Sequence, residues 1–201
     1  MYGLFCLTLS TMNVILFDKD LVNYYPLSFT RPISYFRIGI LTIIDKWRQY
    51  YKDISVKTAD HLLVKYPLLI DEDNLWVDSR VLPSSSLVTE LKNLRIGEGL
   101  SKKGEIIAFR NNSFDTNRIN IIDSNADFNL IKNLSDIFSL NGKEIENDFN
   151  LMFPSEEKLK WKGDLEKIKS ENIKIGNNPI YIESGKVDFG IVGKDTLFES
   201  N

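Results

Sequence analysis

The chain has 201 residues, 43% hydrophobic and 26% charged, which is the balance of an ordinary soluble globular protein with one sizeable core and an appendage. Its formal net charge of -3 and pI near 5.3 leave no basic excess to displace counterions, which excludes a general nucleic-acid binder. The single cysteine, Cys6, excludes a disulfide framework and a multi-cysteine zinc site, and fits the reducing cytoplasm expected here.

Residues 1–12 form an apolar extension without a basic leader, too short to span a bilayer, so no membrane partner is expected. Two readings compete: a short secretion signal, or an upstream extension of a chain whose natural start is Met12. The strand that begins at once at Val14 leaves no room for a cleavage region and favours the second. Val14 to Phe17 reads as the first parallel strand of an α/β sheet. Ligands in such sheets sit outside the carboxyl ends of strands, where Asp18, Asp20 and Arg31 would collect, so a phosphate-handling site is the first idea.

Ile33 to Tyr51 predicts a helix, with Phe36, Ile40, Ile43, Ile44 and Trp47 on one face and Pro32 at its first turn. Ile54 to Lys57 predicts a strand, Ala59 to Lys65 a helix, Asn74 to Val77 a strand ending at Asp78, and Ser84 to Asn93 a capped helix. Glu105 to Phe109 and Arg118 to Ile122 are β-rich runs around an Asn-Asn-Ser turn; Ala126 to Phe138, Lys143 to Met152 and Glu156 to Lys169 read as helices. The alternation predicts one α/β domain over residues 13–153, followed by a linking helix over 154–171. The lysines and carboxylates from Glu156 to Lys174 alternate, as on a solvated helix face.

Residues 172–201 change character. Ile175-Gly176 and Val192-Gly193 stand seventeen residues apart with Ile180, Ile182 and Val187 between them. This approximates one coil of a left-handed hexapeptide β-helix; a small β-meander is the alternative. A single coil leaves apolar side chains uncovered, so the tail is expected to self-associate or stay mobile.

Several residues carry both a structural and a functional reading. Arg31, between Thr30 and Pro32, could pair with Asp20 or bind phosphate together with Arg37. Asp78 could cap its turn or hold a metal, and Asp136 could cap a helix or frame a pocket. His61, the only histidine, has no triad partners in view.

The stretch Phe17-Asp18-Lys19-Asp20-Leu21-Val22 resembles the opening of haloacid-dehalogenase-type phosphatases, in which the two aspartates would be nucleophile and general acid beside Mg²⁺. More of the chain resembles the sugar-phosphate nucleotidyltransferase family. Ile15 to Asp18, Tyr25 to Pro32, Arg37 to Thr42 and Asp45-Lys46-Trp47 are similar to ILFDD…LLPLTFTRPVxxLRxGILTIxEKW, the opening of its Bacteroidetes-type branch. Leu75 to Pro83 resembles that branch's LxxNxRxLP, and Ser135 to Phe138, Asn141-Gly142 and Asp148-Phe149 resemble its WDLF…N…DF stretch. That branch looks like an alternative form of the bifunctional UDP-N-acetylglucosamine pyrophosphorylase/glucosamine-1-phosphate acetyltransferase.

The resemblance implies a Rossmann-like, mostly parallel sheet flanked by helices, followed by a β-helix. It also implies transfer of a nucleotidyl group from an NTP, here UTP, to a sugar 1-phosphate, with Mg²⁺. Arg31 would orient the phosphates, Asp78 would hold the metal, and Asp18, Asp20, Thr30, Arg37, Arg80 and Asp136 would line the substrate site. Asp18 to Leu21 replaces the glycine-rich phosphate loop of the wider family, so a non-catalytic binding or assembly module stays open beside the enzyme.

Overall fold

The structure, a computed structural model, describes residues 12–152 and the backbone of Ile175–Gly176 and Phe189–Gly190. The chain divides into two compact units, Met1–Phe149 and Asn150–Asn201. The first holds a six-stranded sheet built from β1 (Asn13–Phe17), β2 (Ile54–Lys57), β3 (Asn74–Asp78), β4 (Glu98–Lys102), β5 (Glu105–Asn111) and β6 (Asn120–Asp123), in the order β2-β1-β3-β5-β4-β6. β1 pairs parallel with β2 and β3, β5 pairs antiparallel with β3 and β4, and β6 pairs parallel with β4. The sheet is therefore mixed, with five strands running one way and β5 alone running back. The carboxyl ends of β1 to β4 share one edge with the amino end of β5.

The apolar run of β1 is buried on both sides because the sheet is covered on both faces. Val14 and Leu16 join a large core with Ile33, Ile43, Trp47, Leu75, Val77 and Leu91. Ile15 and Phe17 point the other way, onto Trp76 and Phe109. Helices α1 (Ile43–Trp47), α2 (Ser85–Asn93) and α3 (Leu134–Met152) complete the described elements of regular length. Ser84 caps α2 by accepting the Leu87 amide, as its position predicts.

Three expectations fail and one strand is found beyond them, each for a physical reason. The long helix over 33–51 is a single 3₁₀ turn at Ile33–Tyr35, a tight loop, and then the short α1. Gly39 takes φ +80°, Arg37 and Thr42 bridge, and the Ile40 and Leu41 amides donate to the Asp148 carboxylate at 2.8 and 3.0 Å. Those amides cannot also serve a helix. Thr42 then caps α1 by accepting the Asp45 amide. Secondly, the helix over 59–65 shrinks to a 3₁₀ turn at Asp60–Leu62. The two helices over 126–138 and 143–152 are, thirdly, one helix, α3, that starts at Leu134 and passes through Gly142. The residues before α3 run extended, with Leu130 bridged to Val81. Finally, β4 went unread because Glu-Gly-Leu-Ser-Lys is short and half polar; its pairing with β5 and β6 makes it a strand.

A buried charge cluster ties α3 to the loop before α1. Lys46 donates to Glu144 at 2.9 Å and to Asp148, all three being at most 3% exposed. In the second unit Ile175–Gly176 pairs parallel with Phe189–Gly190. The expected N-terminal extension, the linking helix and the rest of the β-helical coil lie outside the described residues.

Candidate active site

The shared edge of the sheet gathers charged side chains from three loops. Asp18 follows β1 directly, and its carboxylate accepts from Thr58 Oγ1 at 2.6 Å and from the Ile33 amide at 3.2 Å. Burial pushes its pKa up to about 6, with the Asp78 charge adding to the rise. The bonds from Thr58 and Ile33, and the nearby Ser79 hydroxyl, restrain it.

Asp78 closes β3 and is fully buried. Its carboxylate is gripped by Arg80, two residues on: Nε donates at 2.9 and 3.1 Å to the two oxygens, Nη2 donates at 2.7 Å, and the Arg80 amide adds a bond at 2.9 Å. Arg80 also reaches Asp20 through Nη1 at 3.1 Å and Glu105, at the start of β5, through Nη2. Lys19 meets the same Glu105 oxygen at 2.9 Å. Hydrogen bonds from Lys19 and Arg80 hold the Glu105 pKa down at about 2. One guanidinium thus ties together the loop after β1, the turn after β3 and the β4–β5 hairpin.

This arrangement bears on the expected metal. The lone-pair positions of Asp78 are filled by Arg80 donors. Among the described residues, no three histidine, cysteine or carboxylate side chains are grouped as a metal would require. These side chains form no all-protein cage for a divalent ion, and the cation seated among the carboxylates is Arg80.

Arg31 and Thr30 are placed elsewhere. With Tyr35, Thr42, Lys65 and Tyr66 they line a cleft of about 440 Å³ whose Tyr35 and Tyr66 rings lie 4.5 Å apart. Arg31 is exposed and makes no hydrogen bond or ion pair among the described residues, so the pairing with Asp20 does not form; Asp20 pairs with Arg80 instead. The cleft still adjoins the strand ends, because Ile33, two residues after Arg31, is bonded to Asp18. His61 holds the same region, its Nε2 lying 3.0 Å from the Phe29 carbonyl.

Arg37 donates to the Ile40 carbonyl within its own loop. Asp136 accepts the Lys132 and Asn133 amides at 2.7 and 3.1 Å, a capping role at the start of α3. The structure therefore brings Asp18, Asp20, Asp78 and Arg80 together and leaves Arg31, Arg37 and Asp136 at three other places. Sequence reading missed Lys19 and Glu105. Their only signal was charge at the two ends of strands, which the pairing of β5 beside β3 turns into proximity.

A family model described as sugar nucleotidyl transferase matches residues 14–156, from β1 through α3. The chain belongs to the sugar nucleotidyl transferase family. No curated protein matches the chain at a significant level. For a sugar nucleotidyl transferase the substrates are a nucleoside triphosphate and a sugar phosphate, two anions that must meet at one point. The carboxyl edge of the sheet, with Arg80 at its centre, is where an α/β fold presents such a point. No helix among the described residues is long and apolar enough to cross a membrane.

Proposed function

We propose that this sugar nucleotidyl transferase uses UTP and N-acetylglucosamine 1-phosphate, forming the UDP-sugar and releasing pyrophosphate. The observation that carries nucleotidyl transfer is the family match over the whole described sheet, joined to a strand-end charge cluster beside the Arg31 cleft. The finer choice of uridine and N-acetylglucosamine is supported by the similarity of the Tyr25–Pro32 and Leu75–Pro83 motifs to one branch of the family.

In the reaction, a phosphate oxygen of the sugar 1-phosphate attacks the α-phosphorus of the nucleotide. The new P–O bond forms as the α–β bridge breaks in line, and pyrophosphate carries away the electron pair. No side-chain nucleophile is needed. Mg²⁺ enters as the counter-ion of the triphosphate, a part of the substrate. Arg31, a cation with no carboxylate partner, is free to neutralise and orient the phosphates. Arg80 is a positioning residue that fixes the loops after β1 and β3.

Pyrophosphate release from UTP and N-acetylglucosamine 1-phosphate with Mg²⁺ tests the reading. Arg31→Ala should lower kcat/KM at least about tenfold, a loss of more than about 1.4 kcal/mol of transition-state stabilisation, and leave the melting temperature unchanged because the side chain is exposed. Absence of release across several NTP and sugar-phosphate pairs would overturn it in favour of a binding module. Phosphatase activity abolished by Asp18→Asn would point to the dehalogenase-type chemistry instead.

A further inference from the structure

A second cleft of about 390 Å³ opens between the β4–β5 hairpin tip and the segment before α3. Lys102, Lys103, Glu105, Asp127, Phe128 and Lys132 line it. Three lysines against two carboxylates make a local positive site in a chain of net charge -3.

The six side chains are not equally free. Lys102 is committed to structure, donating to the Ser124 and Ala126 carbonyls at 3.0 and 2.7 Å. Glu105 is paired through Oε1 with both Lys19 and Arg80. The ammonium groups of Lys103 and Lys132 and the carboxylate of Asp127 make no hydrogen bond or ion pair among the described residues, and all three residues are exposed. Lys103 is held at φ +54° on the hairpin tip, beside Gly104 at φ +79°. Positive φ at both central residues is what a two-residue hairpin turn requires, and it fixes where the Lys103 side chain leaves the tip.

Two uncommitted ammonium groups suit a phosphate dianion, one uncommitted carboxylate accepts sugar hydroxyls, and the Phe128 ring offers a flat apolar wall. The two clefts flank one cluster: Glu105 links this one to Arg80, and Ile33 links the Arg31 cleft to Asp18. A nucleotidyl transfer brings two anions together, and cationic side chains in both clefts offset their mutual repulsion. The Arg31 cleft, walled by two tyrosines, suits the nucleotide.

We propose that the cleft between the β4–β5 hairpin tip and the segment before α3 binds the sugar 1-phosphate, with Lys103 and Lys132 on its phosphate and Asp127 on a sugar hydroxyl. This rests on the nucleotidyl-transfer reading for the identity of the ligand, and on the geometry alone for the site.

Calorimetric titration of the full chain with N-acetylglucosamine 1-phosphate and, separately, with UTP tests it. In a Lys103→Ala/Lys132→Ala variant the sugar 1-phosphate Kd should rise tenfold or more while the UTP Kd stays within twofold. Asp127→Asn should weaken sugar 1-phosphate several-fold and leave inorganic phosphate binding unchanged. All three substitutions are at exposed positions, and an unaltered melting curve confirms folding. Equal Kd values for sugar 1-phosphate in wild type and double variant, or equal loss of both ligands, would overturn the site; so would a wild type that binds no sugar 1-phosphate. Pyrophosphate release separates this from the reaction itself. Turnover with an unchanged sugar-phosphate KM in the double variant removes the site and leaves the reading standing. Lysine-dependent binding without any turnover keeps the site and removes the reading.

Discussion

Asp18 shows how one carboxyl group sets a pH dependence for the whole fold. Its folded pKa near 6 lies above the ordinary value of 3.8, so the native state holds the proton more tightly than the unfolded chain. The stabilising contribution is complete below about pH 4 and is lost as pH rises through 6, after which the ionised carboxylate stays buried at a cost of at most about 3 kcal/mol. Glu105 has the opposite sign: its depressed pKa stabilises above the ordinary glutamate range and fails as pH falls toward 2. Asp18→Asn keeps an oxygen to accept from Thr58 and cannot ionise. Urea denaturation at several pH values should therefore show the variant gaining on wild type between pH 4 and 7, with the two converging near pH 4. A constant difference across that range would refute the assignment. The position of Asp18 at a strand end was legible in the sequence, because Val14 to Phe17 can only be a buried strand. Its buried surroundings were not, since Thr58 and Ile33 reach it through folding.

At the scale of elements, the loop around Gly39 decides how α3 docks. A Cβ at Gly39 would stand 2.6 Å from Asp148 Oδ2 and 2.7 Å from the Glu144 backbone, and φ +80° is itself unfavourable for any other residue. The backbone of α3 cannot yield there, and Lys46 buries its charge between Glu144 and Asp148 in the same place. Gly39→Ala should cost about 2 kcal/mol or more. Hydrogen exchange should show the loss concentrated in Leu134–Asp148 and the Ile38–Leu41 loop, with β1 and β3 keeping their relative order of protection. Uniform loss across the sheet would contradict it. The apolar spacing that suggested a helix over 33–51 was real, for Phe36, Ile43, Ile44 and Trp47 are all buried. Periodicity reports burial, and it cannot see that a distant carboxylate takes the amides a helix would have used. The separate helices inferred on either side of Asn141-Gly142 fail for a related reason: Asn141 serves the Gly39 amide at 2.8 Å while α3 runs on, and nothing crowds Gly142.

For the whole molecule, the arrangement of two cationic clefts about one guanidinium follows from a single reversed strand. Because β5 runs back between β3 and β4, its amino end brings Glu105 and the hairpin lysines to the edge where β1 and β3 end. The sequence identified Asp18, Asp20, Asp78 and Arg80 as candidates, since each stands at or just beyond the end of a predicted strand. Lys103 escaped notice because β4 was not recognised, and without it the hairpin tip has no location; Lys132 was hidden inside the helix expected over 126–138, which begins only at Leu134. The Tyr25–Pro32 motif was visible only through family resemblance: it holds a 3₁₀ turn at Leu27–Phe29 that no pattern of hydrophobicity predicts, and its Thr30 and Arg31 line the tyrosine-walled cleft.

The strand order also governs the sequence of folding events. β1 is the first of the described strands to be made but sits between β2 and β3, and its pairing with β3 joins Asn13 to Asn74, a separation of 61 residues. During synthesis at roughly 5–20 residues per second its four apolar side chains wait several seconds for that partner. The β4–β5 hairpin, by contrast, closes across a two-residue tip and can form within about 1–10 μs. Joining β1 to β3 is a non-local pairing whose loop closure is intrinsically slow and leaves the strand open to capture by another chain. The yield of soluble protein, followed by light scattering, should fall as refolding concentration rises, and slower dilution from denaturant should recover it.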